Sequence, residues 1–135
     1  MSGYVYLATP YTKYPHGISI AYQDALHAAG ALNAAGVSVF SPIVHSHHIA
    51  ARCHGVPAPE ERAKWMRLNY PMMASAGACV VVEMEEWDLS TGVAAEIGFF
   101  VGARKPVIMM GWPITTRVID DVVYEIKERC PSCGL

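Results

Sequence analysis

The sequence predicts an α/β fold, in which a small, doubly wound parallel sheet of about four to five strands carries helices on both faces. Short apolar runs rich in β-branched residues alternate along the chain with segments of helical length. A chain of 135 residues that is 53% hydrophobic also buries enough surface for one core. We therefore expect a single domain over residues 1–135, with right-handed crossovers and a flavodoxin-like or Rossmann-like arrangement.

Four runs have the composition of strands that are buried on both faces. They are Gly3 to Ala8, Val37 to Phe40, Ala78 to Glu83 and Pro106 to Met110. Such runs are too short for helices and are bounded by glycine, proline or polar residues, so we assign them to strands.

Four further segments have helical length. Ile18 to Ala35 is rich in alanine and ends at Gly36, while Pro59 to Ser75 opens with proline and acidic residues. The third helix is expected to begin at Ser90, a good N-cap residue, and the last spans Thr115 to Arg129, with basic residues in its final turns.

The charge, the apolar runs and the motifs of the sequence each argue against a class of partner or cofactor. A formal net charge of -2 gives no electrostatic footprint for nucleic acid or for an anionic membrane. No apolar run approaches a membrane span, and the first residues lack the pattern of a signal peptide. Neither a phosphate-binding P-loop nor a strand-linked GxGxxG occurs. We therefore expect a cytoplasmic protein with a small-molecule partner and no cofactor.

The cysteines do not indicate a disulfide scaffold, because the chain has enough apolar residues to fold without one. Cys79 lies in an apolar run and is expected in the core. Cys130 and Cys133 have the Cys-x-x-Cys spacing of redox and zinc sites, but no second pair accompanies them. We assign this terminal pair no function.

Ligands of open parallel sheets bind outside the carboxyl ends of the strands. This rule predicts that the ligand contacts lie in the segments that follow the four runs. These segments are Thr9 to His16, Ser41 onward, Met84 to Thr91 and Gly111 to Thr115. The stretch from Ser41 to Ala58 is too long for an ordinary connection, so we expect a binding loop there.

Glu96 is the only charged residue between Leu89 and Ala103. Burying an unpaired carboxylate costs several kcal/mol, so its place in this apolar helix needs a reason. Glu96 comes four residues after Gly92, about 6 Å along the axis and on nearly the same face. It therefore faces a ligand held at the helix start, or else it pairs with a basic residue or a second subunit.

Residues His45, His47 and His48, with Cys53 and His54 nearby, offer the ligand types that zinc accepts. Their spacing matches no established metal site. We expect solvated histidines or direct contact with an organic ligand and no metal ion.

Aromatic residues near the expected ligand edge offer surfaces on which a base could stack, although most aromatic residues of a small domain are core. They are Tyr6, Tyr11, Phe40, Trp87 and Trp112. Hydroxyl groups and Lys13 in the first loop suit a polar ligand, whereas Pro10 removes one N–H donor from it.

Two stretches together, YVYLATPYT and WDLSTGVAAEIGFF, resemble the nucleoside 2-deoxyribosyltransferase superfamily, which includes the 2'-deoxynucleoside 5'-phosphate N-hydrolases. Ser90, Gly92, Glu96 and Gly98 match the Ser-x-Gly-x-x-x-Glu-x-Gly of the nucleotide hydrolases, whereas the transferases have aspartate at the first position.

The resemblance implies a role for each matching residue. Glu96 becomes the nucleophile on the anomeric carbon, Tyr6 assists it, and Ser90 meets a 5'-phosphate. Asp88 supplies a second carboxylate or orients the turn, and Asn69 stands where the family commonly has aspartate. The full set of expected substrate contacts is Thr9, Pro10, Tyr11, Lys13, Ser41, Pro42, His45, His47, Asn69, Trp87, Ser90 and Gly92.

The function implied by the resemblance is cleavage of the N-glycosidic bond in a (deoxy)ribonucleoside or its 5'-monophosphate, through a glycosyl-enzyme intermediate and in a homodimer or larger homo-oligomer. Base exchange by a deoxyribosyltransferase is the nearest alternative, and Ser90 favours hydrolysis. Asn69 and a first loop without arginine favour a second alternative, a non-catalytic nucleotide-binding module. A metal-dependent hydrolase built on the histidines is a third.

Overall fold

The structure is a computed structural model and describes residues 3–52 and 58–133. Within these residues, four parallel strands form one sheet in the order β2-β1-β3-β4. The strands are β1 (Val5–Ala8), β2 (Val39–Phe40), β3 (Ala78–Val82) and β4 (Val107–Met110). All three strand pairs are parallel, so the predicted doubly wound α/β fold is confirmed.

Five helices connect and follow the strands in the described part of the chain. They are α1 (Ile18–Ala34), α2 (Pro42–Ala50), α3 (Ala58–Ser75), α4 (Thr91–Gly102) and α5 (Thr116–Arg129), with a short 3-10 turn at Trp87–Leu89. The four helices expected from the sequence are confirmed, and every helix end that was predicted lies within one residue of the observed end. Among the helices described, none combines the length and the apolar character needed to cross a bilayer.

Each face of the sheet has its own apolar core, because side chains alternate between the two faces along a strand. Val5 and Leu7 of β1 pack with buried residues of α1 and α5 on one face. Tyr6 and Ala8 point to the other face, where they meet buried residues of α3 and α4. Cys79 belongs to this second core, as expected, and burial raises the pKa of its thiol.

Helix α2 corrects the expectation of a long irregular loop from Ser41 to Ala58. The hydroxyl of Ser41 accepts a hydrogen bond from the backbone N–H of Val44 at 3.1 Å, and Pro42 occupies the first helical position. Both are standard signals for a helix start. Cys53 and His54, named as potential metal ligands, lie outside the described residues.

The terminal Cys-x-x-Cys segment closes the end of the sheet at which the strands begin. Cys130 and Cys133 are joined by a disulfide, which the composition did not require. This four-residue loop restrains the unfolded chain little, so it is not a scaffold of the kind that small secreted proteins use. Gly77 lies against both sulfur atoms, and the backbone N–H of Gly3 donates to the carbonyl of Ser132.

We predict that Gly77→Ala destabilises the protein by about 1–3 kcal/mol, the usual cost of overpacking. A Cβ atom at this position would lie 2.7 Å from the Sγ atoms of both Cys130 and Cys133. Gly30→Ala is the matched control, since a Cβ there meets nothing within 4 Å and alanine favours the helix interior. Urea denaturation measures both variants. A Gly77→Ala protein as stable as the wild type would show that the sulfur atoms yield without cost.

Candidate active site

A hydrogen bond between β1 and α4 forms the centre of the candidate site. The hydroxyl of Tyr6 donates to Oε2 of Glu96 at 2.5 Å, across 90 residues of sequence. The Tyr6 ring is fully buried and lies 5.8 Å from the ring of Phe40 and 5.7 Å from that of Phe100, centroid to centroid. Glu96 is partly buried. Two of the three residues expected to be catalytic, Tyr6 and Glu96, therefore meet directly.

Burial favours the protonated form of both members of this pair. Burial raises the pKa of Glu96 to about 7, although the hydrogen bond from Tyr6 acts to lower it. Burial also raises the pKa of Tyr6 well above its ordinary value, and the charge of Glu96 raises it further. Tyr6 thus remains a neutral donor at neutral pH, while Glu96 exchanges its proton there.

The start of α4 lies one to two turns before Glu96. Ser90 is the N-cap, as predicted, and its hydroxyl accepts from the backbone N–H of Val93 at 3.2 Å. Gly92 lies exposed in the first turn. The first backbone N–H groups of a helix have no partner within the helix, so this end of α4 suits an electron-rich group of a ligand.

Thr9 follows directly after β1 and has an unsatisfied hydroxyl. The residue is 5% exposed, and its Oγ1 is the one buried side-chain polar atom without a hydrogen-bond partner in the described part of the chain. Ser41 is also buried, but its hydroxyl is satisfied as the N-cap of α2. An unpaired buried hydroxyl costs about 1–3 kcal/mol, so Thr9 is a candidate partner for a polar ligand.

A row of aromatic rings leads outward from Tyr6 on the same face of the sheet. The Phe40 and His45 ring centroids are 6.0 Å apart, and those of His45 and Trp65 are 6.3 Å apart. Trp65 and Asn69 are four residues apart on α3 and are both partly buried. Trp65 was not among the residues predicted from the sequence, although its spacing from Asn69 was a usable signal.

His47 has a different neighbourhood from His45, although both lie on α2. Its Nδ1 is 2.7 Å from the Tyr11 hydroxyl, and its ring stacks on Tyr22 of α1 at 4.4 Å between centroids. His48 meets the same Tyr22 ring edge-on. His47 therefore fixes α2 against α1 and the first loop, and no contact joins it to Glu96 among the described residues.

The three histidines also do not form a metal site in the part of the chain that is described. No group of three or more histidine, cysteine or acidic side chains comes together there in an arrangement that would hold a metal ion.

The remaining candidates are spread around the carboxyl ends of the strands. Asp88 is exposed on the 3-10 turn, and no hydrogen bond links it to Tyr6 or Glu96 in the described structure. Trp87 packs against the core beneath α3 and α4. Lys13 is exposed in the first loop, while Pro10 and Pro42 are buried. Asp88 therefore does not take part in the hydrogen bonding between Tyr6 and Glu96 in the described structure.

Trp112 and an open groove lie on the opposite face of the sheet. Trp112 packs against the core beneath α1 and α5 and is not a neighbour of Glu96. The groove, of about 500 Å³, lies between the C-terminal end of α1 and the start of α5 and is lined by Ala31, Ala34, Ala35, Ile114, Thr115, Thr116 and Ile119. Its lining contains no titratable side chain, so the chemistry favours the region around Glu96 over this groove.

Exposed apolar side chains mark the outer side of α4 and the turn before it. Leu89 is 69% exposed and Val101 is 62% exposed. An uncharged surface of this kind suits contact between subunits. The homo-oligomer stays a prediction.

We predict that Glu96→Gln stabilises the folded protein at pH 8 by on the order of 2 kcal/mol and leaves its stability nearly unchanged at pH 4. The pKa of Glu96 is raised from 4.5 to about 7, so the folded state favours the protonated form. The stability that this proton gives is complete below about pH 4.5 and is lost as the pH rises through 7. Urea denaturation at both pH values measures the difference.

The control for this measurement is Glu128→Gln, which changes an exposed carboxylate on α5. It should show no such pH dependence. Equal effects of Glu96→Gln at pH 4 and pH 8 would contradict the raised pKa.

Comparison with known proteins gives a family for this chain. No curated protein matches it. A family model described as "Domain of unknown function (DUF1937)" matches residues 3–112, which run from the lead into β1 to the segment after β4. The matched region contains Tyr6, Thr9, Ser90 and Glu96. Since the match spans most of the chain, the protein is a member of the DUF1937 family.

Proposed function

We propose that the protein cleaves the N-glycosidic bond of a (deoxy)ribonucleoside or its 5'-monophosphate, with Glu96 as the nucleophile. The observation that carries the proposal is the 2.5 Å hydrogen bond between Tyr6 and Glu96. The motif around Glu96 resembles that of the 2'-deoxynucleoside 5'-phosphate N-hydrolases, and its helix starts at the sheet edge where ligands of such folds bind.

The environment of Glu96 supports a nucleophilic role. With a pKa of about 7, a substantial fraction of the carboxyl is ionised at neutral pH and carries more basicity than an ordinary glutamate. The Tyr6 hydroxyl occupies one carboxylate oxygen and leaves the other available for attack. Apolar surroundings strengthen the attraction between the carboxylate and the positive charge that develops on the sugar.

The substrate is proposed to lie across the carboxyl ends of β1, β2 and β3. Its sugar contacts Glu96, whose carboxylate the buried Tyr6 orients, and its 5' end lies near Thr9 and the start of α4 at Ser90. The unsatisfied Thr9 hydroxyl supports a polar contact at that end. The base leaves from the side lined by Phe40.

The reaction proceeds through two displacements in this proposal. The Glu96 carboxylate attacks the anomeric carbon and forms a glycosyl ester as the base departs. Water then cleaves the ester and regenerates the carboxylate. If a second nucleobase takes the place of water, the same intermediate gives base exchange, which is the alternative function.

We predict that Glu96→Ala and Glu96→Gln each lower base release by about 1,000-fold or more, because neither alanine nor glutamine can form the ester. Chromatography after incubation with ribo- and deoxynucleosides and their 5'-monophosphates detects the free base. A labelled free base added to the wild type distinguishes base exchange from hydrolysis. Glu128→Gln serves as the control, and wild-type rates in Glu96→Ala would refute the proposal.

Tyr6→Phe should move the acid limb of the activity profile to higher pH and lower the maximal rate about tenfold. Its hydrogen bond lowers the pKa of Glu96, so its removal lets that pKa rise above 7 and requires a higher pH for ionisation. Tyr4→Phe is the matched control, because the Tyr4 hydroxyl donates to the carbonyl of Met72 and not to Glu96. An unchanged limb in Tyr6→Phe would exclude this role.

A further inference from the structure

The proposed reaction needs a proton donor for the departing base. When the bond between the anomeric carbon and the base breaks, its electron pair stays on the base, and most bases leave readily only if they receive a proton. Asn69 has an amide that cannot donate in this way. Asp88 is exposed on the 3-10 turn and has no hydrogen bond to Tyr6 or Glu96 within the described residues.

The position of His45 distinguishes it from the other described histidines. It lies in the first turn of α2, which begins where β2 ends, and its backbone N–H donates to the Ser41 carbonyl. Its ring contacts Phe40, whose own ring contacts Tyr6. Ring contacts therefore lead from the partner of Glu96 to an imidazole on the same face of the sheet.

The other imidazoles have interactions that keep them away from this role. The His47 ring is bound to Tyr11, and the His16 Nε2 lies 2.5 Å from a carboxylate oxygen of Glu85. His27 meets Trp112, which packs on the opposite face of the sheet. Among the residues that the structure describes, none forms a hydrogen bond with the His45 ring, and the side chain is exposed.

We propose that His45 is the general acid that protonates the departing base and the general base that activates water in the second step. This inference rests on the proposed glycosidic cleavage. Histidine is the side chain best suited to exchange a proton in both directions near neutral pH. Phe40 and Trp65, whose rings both neighbour that of His45, offer flat apolar surfaces to a heteroaromatic base.

The proton and electron balance is complete without a further reactant. In the first step a Glu96 oxygen bonds to the anomeric carbon, the bond to the base breaks, and imidazolium His45 gives its proton to the base. In the second step water attacks the anomeric carbon and gives a proton to neutral His45, and the ester electrons return to Glu96. The sum is nucleoside plus water giving sugar and base.

The test compares two substrates in a His45→Gln variant. One is 2'-deoxyguanosine or its 5'-monophosphate, whose base needs a proton to leave. The other is the matching 7-methylguanine derivative, whose positively charged base leaves as a neutral molecule without one. The rate measured is that of base release in the first turnover, before water attacks the ester, so that it reports the acid role alone. We expect His45→Gln to lose about 100-fold or more in this rate on the first substrate, a usual contribution of general acid catalysis, and to stay within a few-fold of wild type on the second.

Two variants complete the design. His48→Gln changes an exposed histidine on the same helix and should keep wild-type rates on both substrates. Glu96→Gln should lose activity on both, because the nucleophile is needed whatever the leaving group. Each rate is corrected for spontaneous release, which is faster for the methylated substrate.

The possible outcomes separate the two proposals. Equal losses of His45→Gln on both substrates, or no loss on either, would overturn the acid role of His45 while leaving Glu96 as nucleophile. Full activity of Glu96→Gln, or no release of either base by the wild type, would overturn the glycosidic cleavage itself, and the role of His45 with it. A loss confined to the unmethylated substrate supports both.

Discussion

The rest of the candidate site depends on the hydrogen bond from Tyr6 to Glu96. A carboxylate in an apolar helix is costly unless a neighbour satisfies it, and in the described structure a tyrosine of β1 donates a hydrogen bond to Glu96. Because β1 lies between β2 and β3, it brings Glu96 close to the segments that follow both strands. The N-cap at Ser90 then fixes how far along α4 the carboxylate lies.

Much of the fold and part of the site could be predicted from the sequence, since their signals are local. Parallel strands buried on both faces are continuous apolar runs, and helix ends have recognisable capping residues, as at Ser90. Glu96 attracted attention as a lone charge in an apolar helix. Its pairing with Tyr6, by contrast, came from resemblance, because no local pattern links residues 90 positions apart.

The structural features that could not be predicted from the sequence depend on packing between distant elements. Helix α2 was not predicted, because its histidines and its short length give no recognisable periodicity of apolar residues. Ser41 and Pro42 were the only signals of its start. The separation of His45 from His47 depends on which neighbour each side of α2 meets, Trp65 on one side and Tyr22 on the other. Likewise, the room that Gly77 leaves for two sulfur atoms is visible only in three dimensions.

The hydrogen bond between Gly3 and Ser132 has a practical consequence for protein engineering. Both residues lie at the end of the sheet where the strands begin, whereas Thr9 and Ser90 lie at the other end. Affinity tags or fusion partners joined near either residue would therefore emerge on the side away from Glu96. The same proximity allows a short linker to connect these two points in a circular permutant, with new ends opened in an exposed connection.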